Sequence, residues 1–343
     1  MKSALFINAK KSFLKGKNMI EKIRLGHSDL FVSKMCLGSM NFGWKETKES
    51  SVDILNRYSE AGGNFIDTAN VYTRREAPGL DLYGRDIDRF EDGISERLIG
   101  SWLKDGKRRE DFVIATKVGF AYPGIKIGTS PSQIREECEK SLKRLQTDYI
   151  DLYYLHMDDK STPLCESLDA LTALVKEGKI RYVGLSNFTA ERILEVCDTA
   201  ERYGFEKIVC VQNKFSYLRP KPDTDFMRQA VADSKVFELC GKRGIEVIAY
   251  SPLLKGYYGN RTKVLDEKYV WQDSENRLKV LDEVAKEVGA TAPQLVYFWL
   301  LSHNPRALPI VATGKREQFD EAVASLNLKL TAEQINRLNK AGI

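Results

Sequence analysis

Between about residue 35 and residue 312 the chain alternates short apolar runs with longer amphipathic stretches, eight times over. The runs fall at residues 35–38, 64–67, 112–117, 149–156, 181–186, 207–212, 246–250 and 307–310, and are rich in Val, Ile, Leu, Phe or Tyr. Apolar runs without clean polar alternation suit strands covered on both faces, the pattern of a parallel sheet. The stretches between them keep helical spacing, as in Leu164, Leu168, Leu171 and Val175, or Leu278, Leu281, Val284, Ala285 and Val288. Ser130 with Gln133 reads as a capping box with Pro131 at the first helical position, and Thr331 with Gln334 repeats the box. Gly178, Gly204, Gly244 and Gly289 stand where helices should stop, and Gly62 and Gly63 close the helix before the second run.

Eight strands with helical crossovers predict an α/β fold of the (β/α)8 TIM-barrel type rather than an open sheet. Residues 19–30 are expected to form a β-hairpin that plugs the bottom of the barrel. A dinucleotide-binding open sheet would want G-x-G-x-x-G after its first strand, and neither that motif nor a Walker A sequence occurs. No linker splits the chain, so residues 19–343 are read as one domain. Two connections exceed ordinary loop length, residues 73–92 after the second strand and 220–233 after the sixth. Both would project from the C-terminal rim, where barrel enzymes keep their sites.

The net charge of +5 raises the question of nucleic acid. Residues 1–18 carry Lys2, Lys10, Lys11, Lys15 and Lys17 with no acid, and without those five the basic and acidic residues balance at 48 each. A nucleic-acid footprint would be a basic stripe on the folded body, so no nucleic-acid partner is expected. The leader has no Arg, and its longest apolar run is Ala4 to Ile7, which suits neither a transit peptide nor a secretory signal. It reads as a disordered tail or as sequence upstream of a start at Met19. No run reaches the roughly 18 apolar residues of a membrane helix. The cysteines Cys36, Cys138, Cys165, Cys197, Cys210 and Cys240 form no C-x-x-C and mostly sit in apolar-periodic segments. They read as reduced, buried thiols in a cytoplasmic protein. His27, His156 and His303 lie too far apart for ligand spacing, so no metal is expected.

Four residues stand at or just past three neighbouring strand ends: Asp67, Tyr72, Lys117 and His156. Singly each has a plain explanation: a cap, loop packing, a solvated lysine, a structural histidine. At consecutive strand ends of a parallel barrel they converge on one mouth. Reducing a carbonyl creates an alkoxide that needs a proton donor. A phenol with an ordinary pKa near 10 releases its proton reluctantly, and a neighbouring ammonium favours the phenolate. Lys117 supplies that charge, Asp67 holds Lys117, and His156 donates a hydrogen bond to the carbonyl oxygen.

The segments FIDTANVY (65–72), IATK (114–117), DLYYLH (151–156), GLSNF (184–188), VQ (211–212) and YSPL (250–253) resemble the aldo-keto reductase superfamily, in order, over residues from about 20 to 343. The resemblance implies a (β/α)8 barrel, the tetrad Asp67, Tyr72, Lys117 and His156, and hydride transfer from a nicotinamide cofactor lying across the mouth. It implies that Ser186, Asn187 and Gln212 hold the carboxamide and that Tyr250 stacks on the nicotinamide. Ser251, Pro252, Leu253, Lys255 and Gly256 resemble the loop over the pyrophosphate, with Arg261 assisting. Gly38, Ser39 and Met40 lie where the family's backbone approaches the cofactor, beside Asp67.

Residues 309–321 resemble the family's adenosine-phosphate segment, a helix N-terminus that favours anions. Thr313, Gly314, Lys315, Gln318 and Glu321 are its candidate contacts. Here the sequence departs from the family, reading Ala312, Thr313 and Gly314 where relatives often have a Gly, a small residue and then Ser, Lys or Arg, and Ala322 where they have Asn. Lys315 or Arg316 would replace the usual cation on a 2′-phosphate. NADP(H) is placed first and NAD(H) a close second.

The substrate is expected to be a small carbonyl or alcohol. Met157, Trp44, Phe120 and Tyr122 are candidates for the mouth. The charged stretch 73–92 reads as a solvated face or, more sharply, as a lid over a polar, sugar-type substrate. The rival reading is a regulatory subunit that binds cofactor and turns over slowly, and retention of all four tetrad residues favours an enzyme. Oligomeric state is not legible.

Overall fold

The computed structural model describes residues 19–72, 93–122 and 124–342. The basic leader 1–18 and the charged stretch 73–92, with its proposed lid, lie outside the described residues. The chain opens with an antiparallel hairpin, β1 (Lys22–Arg24) and β2 (Phe31–Ser33). Eight parallel strands follow: β3 (Cys36–Gly38), β4 (Phe65–Asp67), β5 (Val113–Val118), β6 (Ile150–Leu155), β7 (Ile180–Ser186), β8 (Ile208–Lys214), β9 (Glu246–Tyr250) and β10 (Ala307–Val311). They close in sequence order, with β10 pairing back to β3. The helices are α1 (Lys48–Glu60), α2 (Ile94–Lys104), α3 (Pro131–Leu145), α4 (Leu164–Lys176), α5 (Ala190–Tyr203), α6 (Ser234–Arg243), α7 (Gln272–Val288), α8 (Ala292–Ser302), α9 (Arg316–Ala324) and α10 (Ala332–Lys340). Among the described residues no helix is long and apolar enough to cross a membrane.

Both faces of the strands are buried, which accounts for the missing alternation. Phe65, Val113, Ala115, Leu152, Tyr154, Cys210 and Ile248 share the interior cluster. Their neighbours Ile66, Ile114, Tyr153, Val211 and Val247 belong to the layer under the helices. This period of two decides the site. Asp67 shares parity with Phe65, Lys117 with Ala115, His156 with Tyr154, Gln212 with Cys210 and Tyr250 with Ile248. All five therefore point into the barrel at its C-terminal end.

The hairpin plugs the other end, where Leu25, Leu30 and Val32 join the interior cluster. Its second strand lies three residues beyond the expected segment, because docking on the barrel, not the local pattern, sets the pairing. Gly26 makes the close approach possible: its φ is +53°, and a Cβ there would lie 2.3 Å from the Val209 carbonyl oxygen. Strand ends move by one or two residues from the sequence expectation, most at β8, which runs on to Lys214. Ser130 caps α3, but the side chain of Gln133 donates to the Lys126 carbonyl (2.7 Å) and leaves the box half made. The box at Thr331 is complete, and a second one at Thr291 went unread.

Candidate active site

Asp67, Lys117 and His156 sit at adjacent strand ends, and the loop after β4 brings Tyr72 to them. Lys117, fully buried, donates to Asp67 Oδ2 (2.6 Å), to the Thr68 carbonyl (2.7 Å) and to the Tyr72 hydroxyl (3.2 Å). All three N–H groups of the ammonium are thereby engaged. Gln212 donates from Nε2 to Asp67 Oδ1 (2.7 Å), so the carboxylate is gripped from both sides. Burial pulls the Lys117 ammonium toward neutrality, but Asp67 and Tyr72 outweigh it and hold its pKa above the ordinary value. A permanent cation therefore touches the phenol.

The His156 ring lies edge-on to Tyr72, with centroids 5.9 Å apart, and to Phe120 at 4.6 Å. Burial and then the Lys117 charge push its pKa well below the ordinary value, so the imidazole is neutral at physiological pH. Its Nδ1 has no hydrogen-bond partner among the described residues. Tyr72 and Phe120 pack against Ala69, Val71 and Tyr122, so the wall beside the histidine is largely aromatic. Met157 is buried.

On the other side of the mouth stand Ser186, Asn187, Gln212 and Tyr250. Asn187, at φ +66°, takes a left-handed conformation fixed by bonds from its own N–H to the Gln212 carbonyl (3.2 Å) and to Asn213 Oδ1 (2.9 Å). Its Nδ2 donates to the His156 carbonyl (2.9 Å), which couples this side to the tetrad. The Tyr250 hydroxyl donates to Asn187 Oδ1 (2.7 Å), and burial raises the phenol's pKa far above its usual value. Tyr250 is thus a neutral, oriented ring. Ser251, Leu254 and Lys255 all have positive φ, a cluster of strained backbone of the kind kept at binding loops. Pro252 is tied by its carbonyl to Ser216 Oγ (2.6 Å), and Lys263 donates to the Lys255 carbonyl (2.7 Å).

Several of the other expected contact residues have partners within the protein. The Ser39 hydroxyl donates to the Asp67 carbonyl (2.8 Å) and accepts from Ser95 (2.7 Å), which leaves its side chain structural. Gly38 fits under Ile310, and Met40 is exposed. Arg261 reaches Asp282 (2.9 Å) and stacks on Tyr257 and Tyr258. Thr313 bonds Gln318 Oε1 (2.8 Å) and accepts from the Lys315 N–H (3.0 Å). Glu321 accepts from Thr291 Oγ1 (2.6 Å), and Arg316 is held by Asp53. The Glu46 carboxylate lies against Gly314, where a Cβ would come within 1.7 Å of its carboxyl carbon.

The sequence reading missed four contributors. Asn70, two residues before Tyr72, donates to Glu137 at 2.7 Å. Lys214 lies between the rings of Phe226 (5.3 Å) and Tyr250 (5.9 Å), and burial lowers its pKa. Glu46 is the fourth. A signal existed for two of them: Lys214 keeps the inward parity of Gln212, and Glu137 interrupts the apolar stripe of α3. Among the described residues no group of His, Cys, Asp and Glu is placed to hold a metal ion.

Comparison with known proteins places the chain in a family. The profile of the aldo/keto reductase family matches residues 34–343, and the chain belongs to that family. YrpG, an uncharacterized oxidoreductase of Bacillus subtilis, is 30% identical over 334 residues, 93% of this chain and 95% of its own. Norsolorinic acid reductase stcV of Emericella nidulans is 30% identical over 326 residues, 89% of this chain and 76% of its own. The crystal structure of the thermostable aldo-keto reductase Tm1743 with the inhibitor epalrestat matches at a TM-score of 0.71 and 30% identity, covering 94% of this chain and 99% of that one. The protein is an NAD(P)-dependent oxidoreductase with the (β/α)8 fold.

Proposed function

We propose that this protein reversibly interconverts an aldehyde or ketone and the corresponding alcohol, with Tyr72 as proton donor, Lys117 and Asp67 as its electrostatic support and His156 orienting the carbonyl. The observation that carries this reading is the Lys117 ammonium bonded at once to Asp67 and to the Tyr72 hydroxyl. Bound NAD(P)H supplies the hydride. Ser186, Asn187 and Gln212 would hold its carboxamide, since they present buried polar atoms beside the tetrad, and the face of Tyr250 would take its ring. The neutral His156 imidazole can donate one hydrogen bond to the substrate oxygen without placing a second full charge beside Lys117. As the oxygen gains charge, Tyr72 passes its proton to it and Lys117 stabilises the phenolate left behind.

Lys315 at the start of α9 supports NADP(H) as the first choice of cofactor, because a helix N-terminus and a cation both suit a 2′-phosphate. NAD(H) is favoured by a specific observation, the Glu46 carboxylate against Gly314 with Arg316 already paired to Asp53. For the substrate, the aromatic wall of Tyr72, Phe120 and Tyr122 supports a planar aromatic carbonyl over a sugar-type compound.

The test is Tyr72→Phe assayed by cofactor absorbance against a panel of aromatic and sugar-type aldehydes and ketones. Turnover should fall at least a hundredfold, the usual contribution of a general acid, while cofactor Kd from fluorescence quenching stays within about twofold. Wild-type kcat in the variant refutes the assignment. Tight cofactor binding by the wild type with no turnover on any substrate would support a sensing subunit instead.

A further inference from the structure

Three of the four tetrad residues are fixed by the barrel itself. Asp67 and Lys117 lie within β4 and β5, and His156 follows β6 directly. Tyr72 does not share this support. It sits five residues past Asp67 on a connection whose backbone there is held by the bonds Asn70 N–H to the Lys117 carbonyl (3.3 Å), Tyr72 N–H to the Ala69 carbonyl (3.1 Å) and Ser95 N–H to the Tyr72 carbonyl (3.3 Å). Its hydroxyl also makes the longest of the three bonds to Lys117 Nζ. A proton donor on a loop needs a rigid brace from outside, because small displacements cost large factors in rate.

We propose that Glu137 is that brace, a positioning residue that sets the Tyr72 hydroxyl against Lys117 and His156. This rests on Tyr72 being the proton donor. Glu137 stands on the inner face of α3 with no exposed surface. Its Oε2 accepts from Asn70 Nδ2 (2.7 Å), two residues before Tyr72, and from the Tyr122 hydroxyl (2.6 Å). Its Oε1 accepts from the half-exposed Lys140 (2.8 Å). Tyr122 packs with Ala69 and Val71, against Tyr72 and Phe120. One carboxylate oxygen therefore fastens the loop that carries the proton donor to the loop that carries the wall beside His156. Two donors converging on one buried oxygen call for an acceptor-only group of high charge density, which an ionised carboxylate is and an amide is less well suited to be. Lys140 balances the charge at the surface side.

The roles separate experimentally. Glu137→Ala should lower kcat for carbonyl reduction at least tenfold, and Glu137→Gln, which keeps the shape and one acceptor oxygen, should fall between it and wild type. Tyr122→Phe, which removes one of the two bonds and leaves the ring packing, should give a smaller loss of a few-fold and tests the same link if the alanine variant folds poorly. Cofactor Kd should stay within about twofold, because Ser186, Asn187, Gln212 and Tyr250 lie across the mouth. The signature is the pH profile. A phenol drawn away from the Lys117 ammonium holds its proton more tightly, so the alkaline fall of kcat in the reductive direction should move to higher pH in Glu137→Ala. A merely structural role would lower the amount of active protein and leave that limb in place. Activity loss with an unmoved limb, or wild-type kcat in both Glu137→Gln and Tyr122→Phe, overturns the proposal. If Tyr72→Phe is inactive while the Glu137 variants are normal, the brace alone fails. If Tyr72→Phe is fully active, the proton-donor reading fails and takes the brace with it.

Discussion

His156 shows how strongly environment sets chemistry in this site. Its imidazole is buried and lies near a lysine that three hydrogen bonds keep charged, so protonation is opposed twice over. In the proposed reaction it is a hydrogen-bond donor whose charge does not vary across physiological pH. Its Hε1 resonance should not titrate between about pH 6 and 8, the window in which an ordinary histidine changes charge. Two-dimensional NMR on selectively labelled protein would read this, and a midpoint near 6.5 would refute it. The same shift has a stability consequence. The folded pKa lies below the unfolded one, so below about pH 6.5 the unfolded chain binds a proton that the folded chain refuses. The contribution of this site is fully present above that pH and is lost progressively as pH falls from about 6.5 toward the lower folded pKa.

The elements were legible where one local rule decides them. Eight apolar runs became eight strands, and Gly204, Gly244 and Gly289 end their helices in the left-handed conformation. Pairing register and side-chain allegiance were not legible, because partners far along the chain decide them. Gln133 turns from its cap to Lys126, and the hairpin takes its register from the barrel floor. The caps illustrate the difference in energy. Thr331 accepts from the Gln334 N–H (3.2 Å) and closes a box at the start of α10. Thr291 does the same for α8, accepting from the Gln294 N–H (3.3 Å), and also donates to Glu321 (2.6 Å), which ties α8 to α9. Thr331→Ala should cost about 1 kcal/mol, the usual value of a cap. Thr291→Ala should cost more, about 2 kcal/mol, since it also removes a hydrogen bond to a carboxylate. Chemical denaturation of both variants checks the order, and equal losses would show that the link to α9 adds nothing.

Convergence from distant parts of the chain is what sequence pattern reads least well, and the start of α9 is the case in point. The tetrad could be read because each member belongs to a short motif at a strand end. Glu46 and Asp53 belong to the connection and helix after β3, more than 250 residues from Gly314 and Arg316, and only the closure of β10 onto β3 brings them together. The local signals at this helix, a cation beside an N-terminus, favour a 2′-phosphate; the folded arrangement adds a carboxylate to the same place. Two like charges about 4 Å apart repel by roughly 1 kcal/mol in bulk water and about 4 kcal/mol near a protein surface, and 1.4 kcal/mol is a factor of ten in affinity. Glu46→Gln removes the charge and keeps the shape. If the adenosine phosphate binds here, the substitution should tighten NADP(H) about tenfold while leaving NAD(H) within about twofold, as read by fluorescence titration of each cofactor. The gain should shrink as salt is raised from about 0.01 M to 1 M, because partly exposed charges are screened. An unchanged ratio of the two dissociation constants would mean that Glu46 swings clear of the bound cofactor or that the phosphate is held elsewhere, and Lys315 would then be the residue to substitute next.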